Sequence, residues 1–263
     1  MKRLILLLMF LSFFYVEALA LNLKGTTIHI VDDSSEWAPY TYYKRVGGKA
    51  TKEIVGFSVD VIDAIFKKNG INYTIELRPW KRALEETQAG VKFHLILNAS
   101  FNEERAAVFN YSIPYYTTTP HYFYSKANNP IRIIIKSKED LERYKIGGIR
   151  GYNYIPYGVD MSKIDTDASD FVALIEKLKK GRFDIFLENL EPVVGYSTVA
   201  KNVLKDADLA YAPLTYLERA KFHMLMPKNE VGAELKKIID EEISLMEKSG
   251  ELNKILKKYF PSK

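Results

Sequence analysis

The 263-residue chain has no cysteine, which excludes disulfides, thiol nucleophiles, thiolate metal sites and attachment of lipid through sulfur. Its fold must be held by burial. Histidine is scarce too: His29, His94, His121 and His223 are scattered without a paired ligand spacing, so no metal site is expected. There is no Gly-x-Ser-x-Gly elbow and no phosphate-cradling glycine-rich loop, so no catalytic residue and no cofactor are expected. Charge of a single sign is also missing: 38 basic and 33 acidic residues leave only +5. The two signs are interspersed, as from Lys136 to Asp140, and nothing forms a stripe that could track phosphates. Nucleic acid is excluded as an expected partner.

Long apolar runs are absent with one exception, Leu4 to Tyr15, which is shorter than the roughly 20 residues a bilayer requires. Lys2 and Arg3 precede it, and Ala18-Leu19-Ala20 supplies small residues where a signal peptidase reads, so residues 1–20 read as a signal peptide cleaved after Ala20. A soluble, exported protein is expected. With no lipid anchor it needs an outer wall to stay near its cell, which points to a Gram-negative periplasm. What remains is long enough for two modest lobes, each with its own core.

Strand and helix patterns alternate along the chain. Thr26 to Val31 reads as a strand, followed by the polar loop Asp32 to Glu36 and the aromatic turn Trp37-Ala38-Pro39-Tyr40. Phe57, Val61, Ile62 and Ile65 recur at helical spacing up to Asn69-Gly70, and Tyr73 to Leu77 alternates as a strand. A helix starts near Trp80 and reaches Gly90; the all-apolar Phe93 to Leu97 suits a strand covered on both faces. Such alternation implies a mostly parallel sheet. Thr117 to Pro120 is the candidate crossing, leading to a strand at His121 to Tyr124.

A second cycle follows: a helix near Lys138 to Arg143, strand Lys145 to Ile149, loop Arg150 to Asn153, helix Phe171 to Lys179 and strand Asp184 to Leu187. Phe222 to Met226 reads as a strand. An amphipathic helix from Glu234 to Lys248 breaks at Ser249-Gly250, and a terminal helix ends near Tyr259. This end is expected to return to the first lobe.

The strongest polar constellation is Asn98-Ala99-Ser100-Phe101-Asn102-Glu103-Glu104-Arg105, directly after a buried strand. It offers hydroxyl, amide and backbone donors on one side, and Arg105 can grip a carboxylate through two parallel bonds. A charge-assisted contact of this kind contributes about 1.5–3 kcal/mol. The alternative is that Arg105 pairs with Glu103 or Glu104 on a solvated turn.

Four motifs together carry a resemblance. They are Gly56-Phe57-Ser58-Val59-Asp60, the Asn102-Glu103-Glu104-Arg105 turn with its downstream Tyr-Ser-x-Pro-Tyr-Tyr, Gly181-Arg182-Phe183-Asp184, and the closing Gly250-Glu251-Leu252 to Lys258-Tyr259-Phe260. In this order they resemble the bacterial extracellular solute-binding proteins of the polar amino-acid type, family 3. The resemblance implies a type II periplasmic-binding-protein fold: two α/β lobes, each a mostly parallel sheet flanked by helices, joined by two hinge crossings. Lobe one is expected at 21–117 plus 222–263, and lobe two at 118–221. It further implies that a small polar, carboxylate-bearing ligand is held in the cleft and passed to an ABC-type membrane permease; a monomer is expected.

By the same resemblance Arg105 takes an α-carboxylate, helped by Ser100 and by backbone at Asn98, while the Gly151-Tyr152-Asn153 loop donates from lobe two. Trp37 walls a side-chain pocket and Trp80 forms its opposite wall, although Pro79-Trp80 could equally just begin a helix. One departure stands out. The family's aspartate for the α-ammonium is replaced by Asn189; an amide cannot neutralise a buried cation, but Glu188 beside it can if its carboxylate turns inward. Two other functions remain open on the same fold: a ligand-sensing protein that reports to a membrane receptor, and a dehydratase acting on small cyclic carboxylic acids with Glu188 or Glu191 as general acid.

Overall fold

The computed structural model describes residues 21–200 and 203–260; the expected leader at 1–20 lies outside the described residues. Strand β1 (Thr27–Asp33) leads through a hairpin of β2 (Tyr42–Val46) and β3 (Lys49–Val55) into α1 (Phe57–Asn69), β4 (Asn72–Arg78), α2 (Trp80–Ala89) and β5 (Leu95–Ser100). Helix α3 (Glu103–Val108), β6 (Phe109–Tyr111) and β7 (Tyr116–Thr118) then bring the chain to β8 (Pro120–Ser125). Next come α4 (Lys138–Leu141), β9 (Ile146–Ile149), β10 (Ile164–Ala168), α5 (Phe171–Lys179), β11 (Ile185–Asn189), α6 (Leu190–Gly195) and β12 (Leu209–Pro213). The described chain closes with β13 (Ala220–Pro227), α7 (Glu230–Ser249) and α8 (Glu251–Tyr259).

Apart from the two-stranded β2-β3 hairpin, these strands form two sheets, ordered β4-β1-β5-β13-β6 with β7 also on β13, and β10-β9-β11-β8-β12. In the first, β13 runs against β5, β6 and β7, while β1 is parallel to β4 and β5. In the second, β8 runs against β11 and β12, while β9 is parallel to β10 and β11. Each sheet is therefore mostly parallel with one reversed strand, as strand–helix alternation implies. The reversed strands are the ones next to the crossings between lobes.

The chain changes sheet twice, at Thr119 between β7 and β8 and at 214–219 between β12 and β13. The two crossings run side by side: Pro213 opposes His121 on one side, Ala220 opposes Thr118 on the other, and the Leu214 N–H donates to the Pro120 carbonyl at 3.0 Å. Glu191, at the start of α6, ties them together. Its carboxylate accepts from the Thr119 N–H at 2.7 Å, the Thr119 hydroxyl at 2.9 Å and the Arg219 guanidinium at 3.3 Å.

Helix α1 buries Phe57, Val61, Ile62, Ile65 and Phe66 against the first sheet, and each fully buried side chain of this size contributes about 1.5–3 kcal/mol. The C-terminal helices return to the same lobe, where Glu242 of α7 meets Lys68 at 2.6 Å and Lys258 of α8 meets Asp60 at 3.1 Å. Helix α7 starts four residues before the expected Glu234, because the Asn229 side chain accepts from the Gly232 N–H at 2.8 Å and caps it earlier. Strand β1 runs on through Asp32 and Asp33, which the sequence reading assigned to a loop; full parallel pairing to Leu77 and Arg78 holds them in the ladder. Strand β5 likewise continues through Asn98 to Ser100, because β13 pairs with it as far as Ser100. The β2–β3 hairpin was not anticipated, although Gly47-Gly48, with φ of 57° and 78°, is the two-residue turn such hairpins favour.

Candidate functional site

The carboxyl ends of β1 and β5 in one lobe face β11 and the loop after β9 in the other, where open α/β sheets place their ligands. Between them lies a cavity of about 50 Å³. All nine residues singled out from the sequence line it: Trp37, Trp80, Asn98, Ser100, Arg105, Tyr152, Asn153, Glu188 and Asn189. Asp32, Asp33, Tyr154, Tyr157 and Phe222, which no sequence motif marks as site residues, complete the lining. For the two aspartates the signal was their place at the end of an apolar strand.

Arg105 sits in the first turn of α3, whose N-cap is Asn102; the Asn102 side-chain Oδ1 accepts from the Arg105 backbone N–H at 3.0 Å. That cap aims the guanidinium into the cleft. It lies 5.6 Å from the Trp80 ring centroid and donates across the cleft to the Gly151 carbonyl at 2.9 Å. Among the described residues no carboxylate forms an ion pair with it, so the solvated-turn alternative with Glu103 or Glu104 does not hold. Burial pushes its pKa down from the usual arginine value. Trp80 begins α2 directly after Pro79 and still faces the cavity, so its helix-start position and its wall position coincide.

Asn98 is consumed by its own lobe. Its Oδ1 accepts from Ser58 and Tyr116 at 2.7 Å each and from Tyr115 at 3.2 Å, while Nδ2 donates to Thr41 Oγ1 at 2.8 Å and to Asp32 Oδ2. Its side-chain amide is thereby fully engaged within lobe one. Trp37 is anchored in the same network through its ring N–H, which donates to the Tyr116 hydroxyl at 3.1 Å.

The lobes are joined directly by the loop after β9. Tyr152 donates its hydroxyl to Asp33 Oδ2 at 2.8 Å, and Asn153 Nδ2 donates to Ser100 Oγ at 3.1 Å and to the Phe101 carbonyl at 2.7 Å. Three acids surround the cavity with no basic residue ion-paired to them among the described residues. Burial raises the Asp32 pKa to about 7, raises that of Asp33, and raises that of Glu188 to about 8.

Glu188 and Asn189 end β11 at 3 % and 7 % exposure. Glu188 Oε1 accepts from the Asn189 backbone N–H at 2.7 Å and from Asn189 Nδ2 at 3.3 Å. Glu188 Oε2 and Asn189 Oδ1 are buried oxygens with no hydrogen-bond partner among the described residues. Such atoms cost about 1–3 kcal/mol each unless a donor reaches them. Arg105 is thus a cationic pole at the cavity wall, while Glu188, Asn189 and Asp33 form an acceptor-rich one.

Two mostly parallel sheets, two paired crossings and a cavity lined from both sides define an α/β two-lobed binding protein of the type II periplasmic class. The chain belongs to the bacterial extracellular solute-binding proteins, family 3, whose model matches residues 30–262. It is 24% identical over 225 residues to the probable amino-acid-binding protein YxeM of Bacillus subtilis, covering 84% of this chain and 80% of that one. To the L-cystine-binding protein TcyJ of Escherichia coli it is 22% identical over 250 residues, covering 93% and 86%. Among solved structures it is similar to AbpA, an amino acid ABC transporter substrate-binding protein of Streptococcus pneumoniae bound to L-arginine, with a TM-score of 0.70, 25% identity and coverage of 89% and 94%. Among the described residues no helix is long and apolar enough to cross a membrane.

Proposed function

We propose that this solute-binding protein captures a small amino acid or a related amino-carboxylate in the cleft and delivers it, outside the cytoplasmic membrane, to an ABC-type permease. Arg105 takes the carboxylate, with Ser100 and the Asn98 backbone beside it. Glu188 takes the ammonium with Asn189 assisting, so that the missing aspartate is replaced by its neighbour. The observation that carries the reading is the pair of unpartnered buried oxygens, Glu188 Oε2 and Asn189 Oδ1, in the same cavity as an arginine that has no acidic partner among the described residues.

The crossings at 118–120 and 214–219 act as the hinge. Contacts donated by both lobes exist together only when the lobes meet, so ligand binding shifts the population toward that arrangement. Moving a two-state balance from 1:99 to 99:1 needs a preference of about 5.5 kcal/mol. One arginine contact cannot supply that, and the acceptor pole contributes the remainder. Thermal shift with amino acids, amines and organic acids tests the reading: amino acids should stabilise the protein and simple amines or acids should not. Stabilisation by acids that lack an amino group, to the same extent, would contradict it.

A second reading is favoured by the raised pKa of Glu188, which keeps that carboxyl protonated at neutral pH and able to act as a general acid on a small cyclic acid. Incubation with prephenate-like acids, followed by product absorbance, separates turnover from binding.

A further inference from the structure

The aromatic slot of the cavity is already filled by the chain itself. Tyr152 comes from lobe two, yet its ring meets Trp37 of lobe one edge-on, with centroids 5.7 Å apart and planes at 78°. The same side chain packs against all three apolar clusters of the molecule: the one holding Trp37, the one holding Trp80 and the second-lobe cluster around Tyr154 and Tyr157. Its hydroxyl reaches Asp33 at 2.8 Å. Tyr152 therefore stands where the side chain of a large ligand would have to lie against Trp37 and Trp80.

The consequence is spatial. The remaining cavity of about 50 Å³ is well below the roughly 300–1,000 Å³ of ordinary small-molecule pockets. The neighbours hold the ring where it is. Gly151 packs against Trp80, a Cβ there coming within 3.4 Å of the Trp80 ring, and its φ of +81° fixes the turn that aims Tyr152 inward. A ligand that uses Arg105 and Glu188 together in this arrangement has room for its charged groups and little else.

We infer that Tyr152 is the specificity-determining residue of the cleft, a built-in aromatic occupant that restricts the ligand to a compact zwitterion such as a two- or three-carbon amino acid. This rests on the amino-carboxylate reading given above. The Tyr152 hydroxyl on Asp33 adds to the packing that seats the ring, and the bulk of the ring is what excludes a large side chain.

Calorimetric titration of the wild-type protein, Tyr152→Ala and Tyr152→Phe with glycine, L-alanine and β-alanine, and with L-arginine, L-phenylalanine and L-cystine, tests the inference. The wild type should bind a compact member at least tenfold more tightly than any bulky one. Y152A should gain at least tenfold for a bulky member and lose affinity for the compact one. Y152F keeps the ring and should keep the wild-type ranking. A wild type that prefers a bulky amino acid, a Y152A protein with unchanged ranking, or a Y152F protein that admits bulky ligands would overturn it. Binding of neither set by any of the three proteins overturns the amino-carboxylate reading as well, which separates the two failures. Should Y152A not melt cooperatively, Tyr152→Leu, which removes the ring but keeps an apolar filler, takes its place with the same expected gain for a bulky member, and an unchanged ranking in it would overturn the inference.

Discussion

Gly195 of α6 lies so close to Ala38, in the aromatic turn of the other lobe, that a Cβ at Gly195 would come within 2.2 Å of the Ala38 carbonyl oxygen. Backbone faces backbone here, and a carbonyl cannot rotate away as a flexible side chain could. The contact also abuts Pro39, so the turn carrying Trp37 is seated directly on lobe two. Gly195→Ala should leave each lobe folded but hold the lobes apart. Small-angle scattering should show a larger radius of gyration with saturating ligand than for the wild type, and affinity should fall at least tenfold. Identical shapes would mean that the lobes meet without this contact.

Acidity of the cavity sets the pH behaviour. Glu188 rises from 4.5 to about 8 and Asp32 from 3.8 to about 7 in the folded protein. Below about pH 4 both are protonated in either state and cost nothing. As pH rises through the window up to about 8, the unfolded chain releases protons that the folded chain retains, so stability falls by up to about 1.4 kcal/mol per pH unit for each group. Thermal melts without added ligand should show this decline as the contribution of these two sites, and Glu188→Gln should flatten its upper half.

Ligand binding should reverse that protonation. An ammonium at Glu188 favours the carboxylate, so binding near pH 7 releases a proton and affinity rises with pH toward about 8. Titration in two buffers of different ionisation heat measures the release. Glu188→Gln should abolish it and weaken an amino acid at least tenfold; equal heats in the two buffers for the wild type would place the ammonium elsewhere.

Much of this was legible beforehand, and the parts that were not have physical reasons. Arg105 could be found because it closes the polar constellation that leaves a buried strand and matches a turn of the family; that this turn is the capped start of a helix shows only in the structure. Phe57, Val61, Ile62 and Ile65 announced α1 by spacing, and all four are buried. Asp32 and Asp33 were hidden because two acids after an apolar run look like a solvated loop; pairing with a neighbouring strand distant in sequence keeps them in β1. The role of Asn98 was hidden for the same reason, since its partners Ser58, Tyr115 and Tyr116 lie far along the chain. Tyr152 was recognisable as a loop residue, but nothing local reveals that its ring crosses into the other lobe.

Glu191 should govern the hinge rather than the ligand. Its carboxylate holds the Thr119 N–H and reaches Arg219, linking both crossings at once. In Glu191→Ala the Thr119 amide loses its acceptor, and its hydrogen exchange should quicken at least tenfold while β1 and β5 amides stay unchanged. An unaltered Thr119 rate would show that the crossings are held by other contacts.

The whole account turns on a buried guanidinium that meets the ligand's carboxylate, and titration of Arg105→Ala with the tightest wild-type ligand probes it most directly. Loss of a charge-assisted contact of about 1.5–3 kcal/mol predicts affinity weakened about 10- to 150-fold, with thermal stability of the protein alone little changed. An affinity equal to that of the wild type would contradict the account.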